Sequence, residues 1–207
     1  MKAYYHEDEV EAGVDEVARG CLAGPVYTAA VIWPKEIDPT DQNIIVNDSK
    51  TVSRRRRLIL KDYIEENALD FSVSFEDSKT IDSINILNAT FKSMHKSLDN
   101  LNIAIDHILV DGPIFKQYTA SNNEVIPYTC IVSGDAKYTP IACASILAKV
   151  YHDQYIEKLC DENPEFEIYD WRNNMCYGTA KHIDAIHKQG ISKYHRKTFG
   201  VCKEYTL

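Results

Sequence analysis

Asp15 and Glu16 stand side by side at the end of a short apolar run, in "AGVDEVARGCLAGPV". Two further carboxylates occupy comparable positions. Asp111 closes "HILVDG", and Asp135 lies just past "VIPYTCIVSG". Carboxylates brought to one spot repel and raise one another's pKa. A chain tolerates that when a cation sits among them. Oxygen ligands without His or Cys suit Mg²⁺ or Mn²⁺. Such a site, completed by substrate phosphate, is the usual engine of metal-assisted phosphodiester hydrolysis. Each acid alone has a plainer explanation, since Asp-Gly and Ser-Gly-Asp are ordinary turn sequences. Recurrence at three strand ends favours the metal.

The elements that must position these acids follow from periodicity. Residues 10–15 and "PVYTAAVIW" (25–33) read as neighbouring strands. "SRRRRLILKDYIEEN" reads as a helix capped by Ser53, and "LDFSVSFE" alternates as a strand. From Thr80, Ile84, Leu87, Phe91, Met94, Leu98 and Leu101 recur at three-four spacing and predict one amphipathic helix of about six turns. "HILVDG" and "VIPYTCIV" supply two more strands. A helix with Thr139 as its cap and Pro140 in its first turn comes next; its early Ala, Cys and Ser let it lie close on a sheet. The expectation is an α/β fold: a mixed five-stranded sheet flanked by helices over residues 1–160, then a small C-terminal helical segment, 161–207.

The totals bound the function. The chain has 207 residues, 44% apolar, which suffices for one core. No apolar run is long enough to span a membrane, and no signal peptide is evident; the cytoplasm is expected. The six cysteines have no zinc-ligand spacing and read as reduced, small apolar side chains. His182 and His187 read as surface or capping residues. A net charge of −8 argues weakly against nucleic acid. Its distribution argues the other way, because six Lys/Arg face one acid between residues 181 and 203. That stretch is either a phosphate-binding tail or a solvated basic helix.

"GVDEVARGCLAGPV", "NDSK", "LVDG", "SGDAKYTPIACASILAKV" and "YGTAKHIDAIHKQGISKYHRKTFG" resemble, in order, the blocks of ribonuclease HII, the type 2 ribonuclease H. The resemblance spans residue 12 to about 200. It implies an RNase H-like fold and hydrolysis of RNA in RNA/DNA hybrids. It also implies incision at ribonucleotides embedded in duplex DNA, leaving 5′-phosphate and 3′-hydroxyl ends. The implied partners are those nucleic acids, with no membrane, and the implied state is a monomer. The family's acids map onto Asp15, Glu16, Asp111 and Asp135. Its Gly-Arg-Gly loop maps onto Ala18, Arg19 and Gly20, its junction-sensing tyrosine onto Tyr177, and the lysine of "DSK" onto Lys50.

Two departures stand out. Ala18 replaces the first loop glycine, and its methyl group is expected where the duplex approaches. Met175-Cys176 replaces Lys-Gly before Tyr177, removing a charge and a flexible joint. Both point to a weaker preference for a single ribonucleotide. Tyr177 itself could be a substrate contact or a core residue of the C-terminal segment. Two rivals remain open: a non-catalytic nucleic-acid-binding protein on the same fold, and a transposase-like nuclease, which would give no reason for the Arg19 loop.

Overall fold

The computed structural model describes residues 1–37 and 53–205. Five strands form the main sheet: β1 Glu11–Val17, β2 Val26–Ile32, β3 Asp70–Glu76, β4 His107–Asp111 and β7 Tyr128–Ile131. Their order is β3-β2-β1-β4-β7. β1 pairs antiparallel with β2 and parallel with β4, and β4 pairs parallel with β7. The sheet is therefore mixed, with β1 and β4 at its centre.

α4, Thr139–Glu162, lies across one face. Its early turns come so close to β1 that a Cβ on Gly13 would sit 2.2 Å from the backbone of Pro140. Gly13 and the small side chains of α4 thus permit the contact together. On this side the core includes Ala29, Val31, Ile64, Ile146 and Leu147, with α1 (Arg54–Asn67) packed alongside. Ser53 caps α1 as expected, accepting from the Arg56 amide. On the other face α3, Ile86–Asp99, covers Ala12, Val14 and Ile108 through Met94 and Leu98.

Three expectations about the elements need correction. The six-turn helix is two helices, α2 Ser78–Ile84 and α3, broken at Asn85 with φ of 65°. Asn85 combines this positive φ with a ψ of 164° and also caps α3 through its side chain. The "VIPYTCIV" strand is likewise two pieces. Val125–Ile126 (β6) pairs with Tyr118–Thr119 (β5) in a small hairpin, and Pro127, unable to donate to a ladder, separates it from β7. Thr139 is the first residue of α4 and Tyr138 its cap.

After α4 come a 3₁₀ turn (Pro164–Tyr169), α5 (Trp171–Asn174), α6 (Ala180–Gln189) and a final 3₁₀ turn (Gly200–Tyr205). They share an apolar cluster with Cys21, Leu22, Ile156 and Cys160. His182 is fully buried within this cluster's hydrogen-bonded network, a correction to its surface reading. Among the described residues no helix is long and apolar enough to cross a membrane.

Candidate active site

Parallel pairing of β1 and β4 puts their C-terminal ends at one edge of the sheet. Asp15, Glu16 and Asp111 accordingly line one cleft of about 260 Å³ with Ala18, Arg19, Gly20, Ser145, Lys149 and Tyr177. Asp135 sits in the 3₁₀ turn after β7, is buried, and does not line this cleft. Its neighbour Gly134 ties the turn to the site by donating its N–H to Asp111 Oδ1 at 2.6 Å. A Cβ on Gly134 would meet Ile141 at 2.7 Å, so glycine allows that approach. Lys50 lies outside the described residues. A larger groove of about 640 Å³ runs along α3 beside Lys92, His95 and Lys96. It holds none of the acids, and chemistry rather than size selects the smaller cleft.

The electrostatics fit a cation. Burial, then the charges of Glu16 and Asp111, hold Asp15 well above the usual carboxylate range; hydrogen bonds from Ser145 and the Glu16 amide oppose this. Arg19 offsets part of the charge by donating to Glu16 at 3.2 Å. Oxygen donors with net repulsion are what Mg²⁺ or Mn²⁺ relieves. No three of these acids bring ligand oxygens within 4.8 Å of one another. An ion held there would need water or substrate phosphate to complete its coordination.

Arg196 holds the site loop, and sequence reasoning missed it. It is fully buried. Its guanidinium donates to the carbonyls of Ala18 (2.8 Å), Arg19 (2.9 Å), Gly24 (2.9 Å) and Pro25 (3.1 Å). This fork fixes the loop from both sides. It also removes one charge from the basic tail, in which Lys181 pairs with Asp170 and Lys188 with Asp184. Lys149 was missed as well; it lines the cleft and bonds Asp153 at 2.7 Å.

At both departures from the family pattern the backbone keeps a positive φ. Ala18 has φ of 70°, Met175 47° and Cys176 66°. All three keep the left-handed conformation that glycine adopts freely. The Ala18 side chain is 2% exposed and packs in the apolar cluster, although the residue also lines the cleft. Cys176 is buried too, and its carbonyl accepts from Leu22 N–H at 2.9 Å. Tyr177 is 38% exposed and lines the cleft. A Cβ on Gly20 would stand 3.8 Å from its ring. Burial and the neighbouring Cys21 push its hydroxyl up to about 12.

The Tyr177 backbone is held in turn. Its carbonyl accepts from His182 Nδ1 at 3.0 Å. His182 Nε2 accepts from Trp171 Nε1 at 3.0 Å and stands 3.1 Å from His195 Nε2. His195 Nδ1 accepts from Ser192 N–H at 2.9 Å. With both imidazoles neutral, the one lone pair on His182 Nε2 faces both the Trp171 N–H and the His195 ring. Burial, then His182, pushes His195 down to about 3, and burial lowers His182.

The family profile of ribonuclease HII matches residues 12–202. This chain belongs to the ribonuclease HII family. The ribonuclease HII of Christiangramia forsetii is 47% identical over 96% of this chain and 94% of its own length. That of Bacteroides fragilis is 46% identical over 96% and 92%. The ribonuclease H2 of Pyrococcus horikoshii shares the fold at 23% identity, with a TM-score of 0.74 over 94% of this chain and 96% of that one. A Bst-RNase HIII solved in complex with Mn²⁺ shares it at 16% identity and a TM-score of 0.69, over 95% and 68%. Family membership makes the chain a divalent-metal-dependent endoribonuclease acting on RNA/DNA hybrids.

Proposed function

We propose that Asp15, Glu16, Asp111 and Asp135 hold the divalent cations of this ribonuclease HII, and that the 18–20 loop and Tyr177 set where it cuts. The cleft carries the reading, because three of the acids, the loop, Tyr177 and Lys149 line one cavity. Bound cations supply an activated water and offset charge at the phosphate and the leaving 3′ oxygen. The chain's own groups supply position. The loop backbone, clamped by Arg196, meets the ribose 2′-hydroxyl, the group that separates RNA from DNA. Tyr177 stacks on a sugar or base, and Lys149 meets a phosphate. Residues 161–207 serve as a substrate-binding segment on a 1–160 catalytic body. The enzyme works as a monomer in the cytoplasm, incises at embedded ribonucleotides, and leaves 5′-phosphate and 3′-hydroxyl ends.

The test uses an RNA/DNA hybrid, a DNA duplex with one ribonucleotide, and an all-DNA duplex, with Mg²⁺, Mn²⁺ or chelator. Cutting of the first two with either metal is expected, and none of the third. Cutting in chelator, or of DNA alone, contradicts the reading. Binding without cleavage returns the non-catalytic rival.

A further inference from the structure

The end of the sheet opposite the acids holds a second cluster. Among the described residues, only His6, Glu9 and His107 bring three ligand atoms of His, Cys, Asp or Glu within 4.8 Å of one another. His6 Nδ1 lies 2.8 Å from Glu9 Oε2, and His107 Nδ1 lies 3.6 Å from the same oxygen. These spacings bracket the separation of about 3.3 Å between donor atoms set tetrahedrally at roughly 2.0–2.1 Å from zinc.

The donor atoms lie against one another, on two partly exposed side chains and one buried one. His6 Nδ1 and Glu9 Oε2 are shielded from solvent and make no hydrogen bond. Lone-pair atoms packed this close, paired by charge but with no hydrogen bond of ordinary geometry between them, offer a place for a cation. The surroundings are built to match. Nε2 of His107 bonds Thr129 Oγ1 at 2.8 Å, which orients the ring and presents Nδ1 to the cluster. Glu11, buried and 3.3 Å from His6 Nδ1, adds negative charge. It also accepts the amides of Tyr5 and His6 at 2.7 Å each, and Lys35 binds the carbonyls of His6, Glu7 and Glu9 from outside. The turn is therefore ordered before any ion arrives.

We infer that His6, Glu9 and His107 form a structural site for a borderline divalent cation of the zinc type, tying the N-terminal turn to the start of β4. Two imidazoles and one carboxylate suit Zn²⁺, Co²⁺ or Ni²⁺ and not Mg²⁺. Glu11 and His107 face each other in register at the strand starts, roughly 13 Å along the strands from Asp15 and Asp111. The site is thus separate from the acidic cleft.

Co²⁺ titration of the chelator-stripped full chain in excess Mg²⁺ tests this, because four-coordinate Co²⁺ absorbs strongly in the visible and carboxylate-bound six-coordinate Co²⁺ does not. One equivalent is expected to produce the bands, and Zn²⁺ to displace them. Asp111→Asn should keep them. Glu9→Gln, and His6→Ala at a partly exposed position, should weaken Co²⁺ binding at least tenfold and abolish the rise in Tm that Zn²⁺ gives the unaltered chain. Absent bands would overturn the site and leave a histidine–carboxylate ion pair. Bands that survive His6→Ala, or vanish in Asp111→Asn, would overturn it equally by placing the ion elsewhere.

Discussion

Asp15 states the tension of the site in one residue. Its pKa is raised by burial first, then by Glu16 and Asp111. An acid whose folded pKa is raised favours folding below its unfolded pKa of about 3.9, and that benefit is lost as pH rises. Metal-free Asp15→Asn should therefore be more stable than the parent chain at pH 7. The gap should close as pH falls through about 4. Urea unfolding at several pH values in chelator checks this; a gap of opposite sign at pH 7 would contradict it. Ala18 makes the opposite point about substitution. Its left-handed backbone costs about 1–2 kcal/mol. Glycine would relieve that, yet lose a buried methyl of about 0.8 kcal/mol and about 0.5–1 kcal/mol of backbone entropy. Ala18→Gly should thus move stability by less than about 1 kcal/mol. It should also leave unchanged the ratio of kcat/KM on single-ribonucleotide and hybrid substrates, since the side chain packs in the apolar cluster. A ratio that rises severalfold would place the methyl at the substrate after all.

At the scale of elements, the C-terminal segment does more than add charge. Through Arg196 it holds the 18–20 loop, and through His182 it holds the Tyr177 carbonyl. Arg196→Lys keeps the charge but cannot reproduce the four-carbonyl fork. It should lower both stability and kcat/KM, the latter at least tenfold, in a chain that still folds by circular dichroism. The histidine pair adds a pH signature. Histidines with lowered folded pKa values stabilise above their unfolded pKa, and that stability is lost as pH falls below about 6.5. His195→Gln should flatten the fall of Tm between pH 6.5 and 4, whatever its absolute stability. That Asp15, Glu16 and Asp111 converge was legible in the sequence because they lie near the ends of apolar strand runs, and the Ser53 cap because its spacing is local. The break at Asn85 was not, since it interrupts the helix without interrupting the three-four apolar pattern. Arg196 was not either. In sequence it is one more basic residue, and only tertiary packing sets carbonyls from residues 18–25 around it.

Across the whole molecule, the two poles of the central strands divide the work. One carries the acids, and the other carries His107 and the N-terminal turn. The basic tail faces solvent only in part. Lys193 and Lys197 are exposed, whereas Arg196 is buried. Removing the tail would strip Trp171, Ile186 and Cys202 from a shared core, so point changes are the cleaner probe. Lys193→Gln with Lys197→Gln should make the log–log salt slope of duplex binding shallower by about 0.9 for each phosphate that is no longer neutralised. An unchanged slope would make that face merely solvated. The central claim is that the converging acids perform the cleavage. Asp111→Asn tests it most directly, because Asn Oδ1 can still accept from Gly134 and the change is isosteric. Single-turnover cleavage of an RNA/DNA hybrid at saturating Mg²⁺ should fall at least about a thousandfold, near 4 kcal/mol of transition-state stabilisation, with hybrid affinity within a few fold of the parent. A folded variant that cuts at the parent rate would contradict the account.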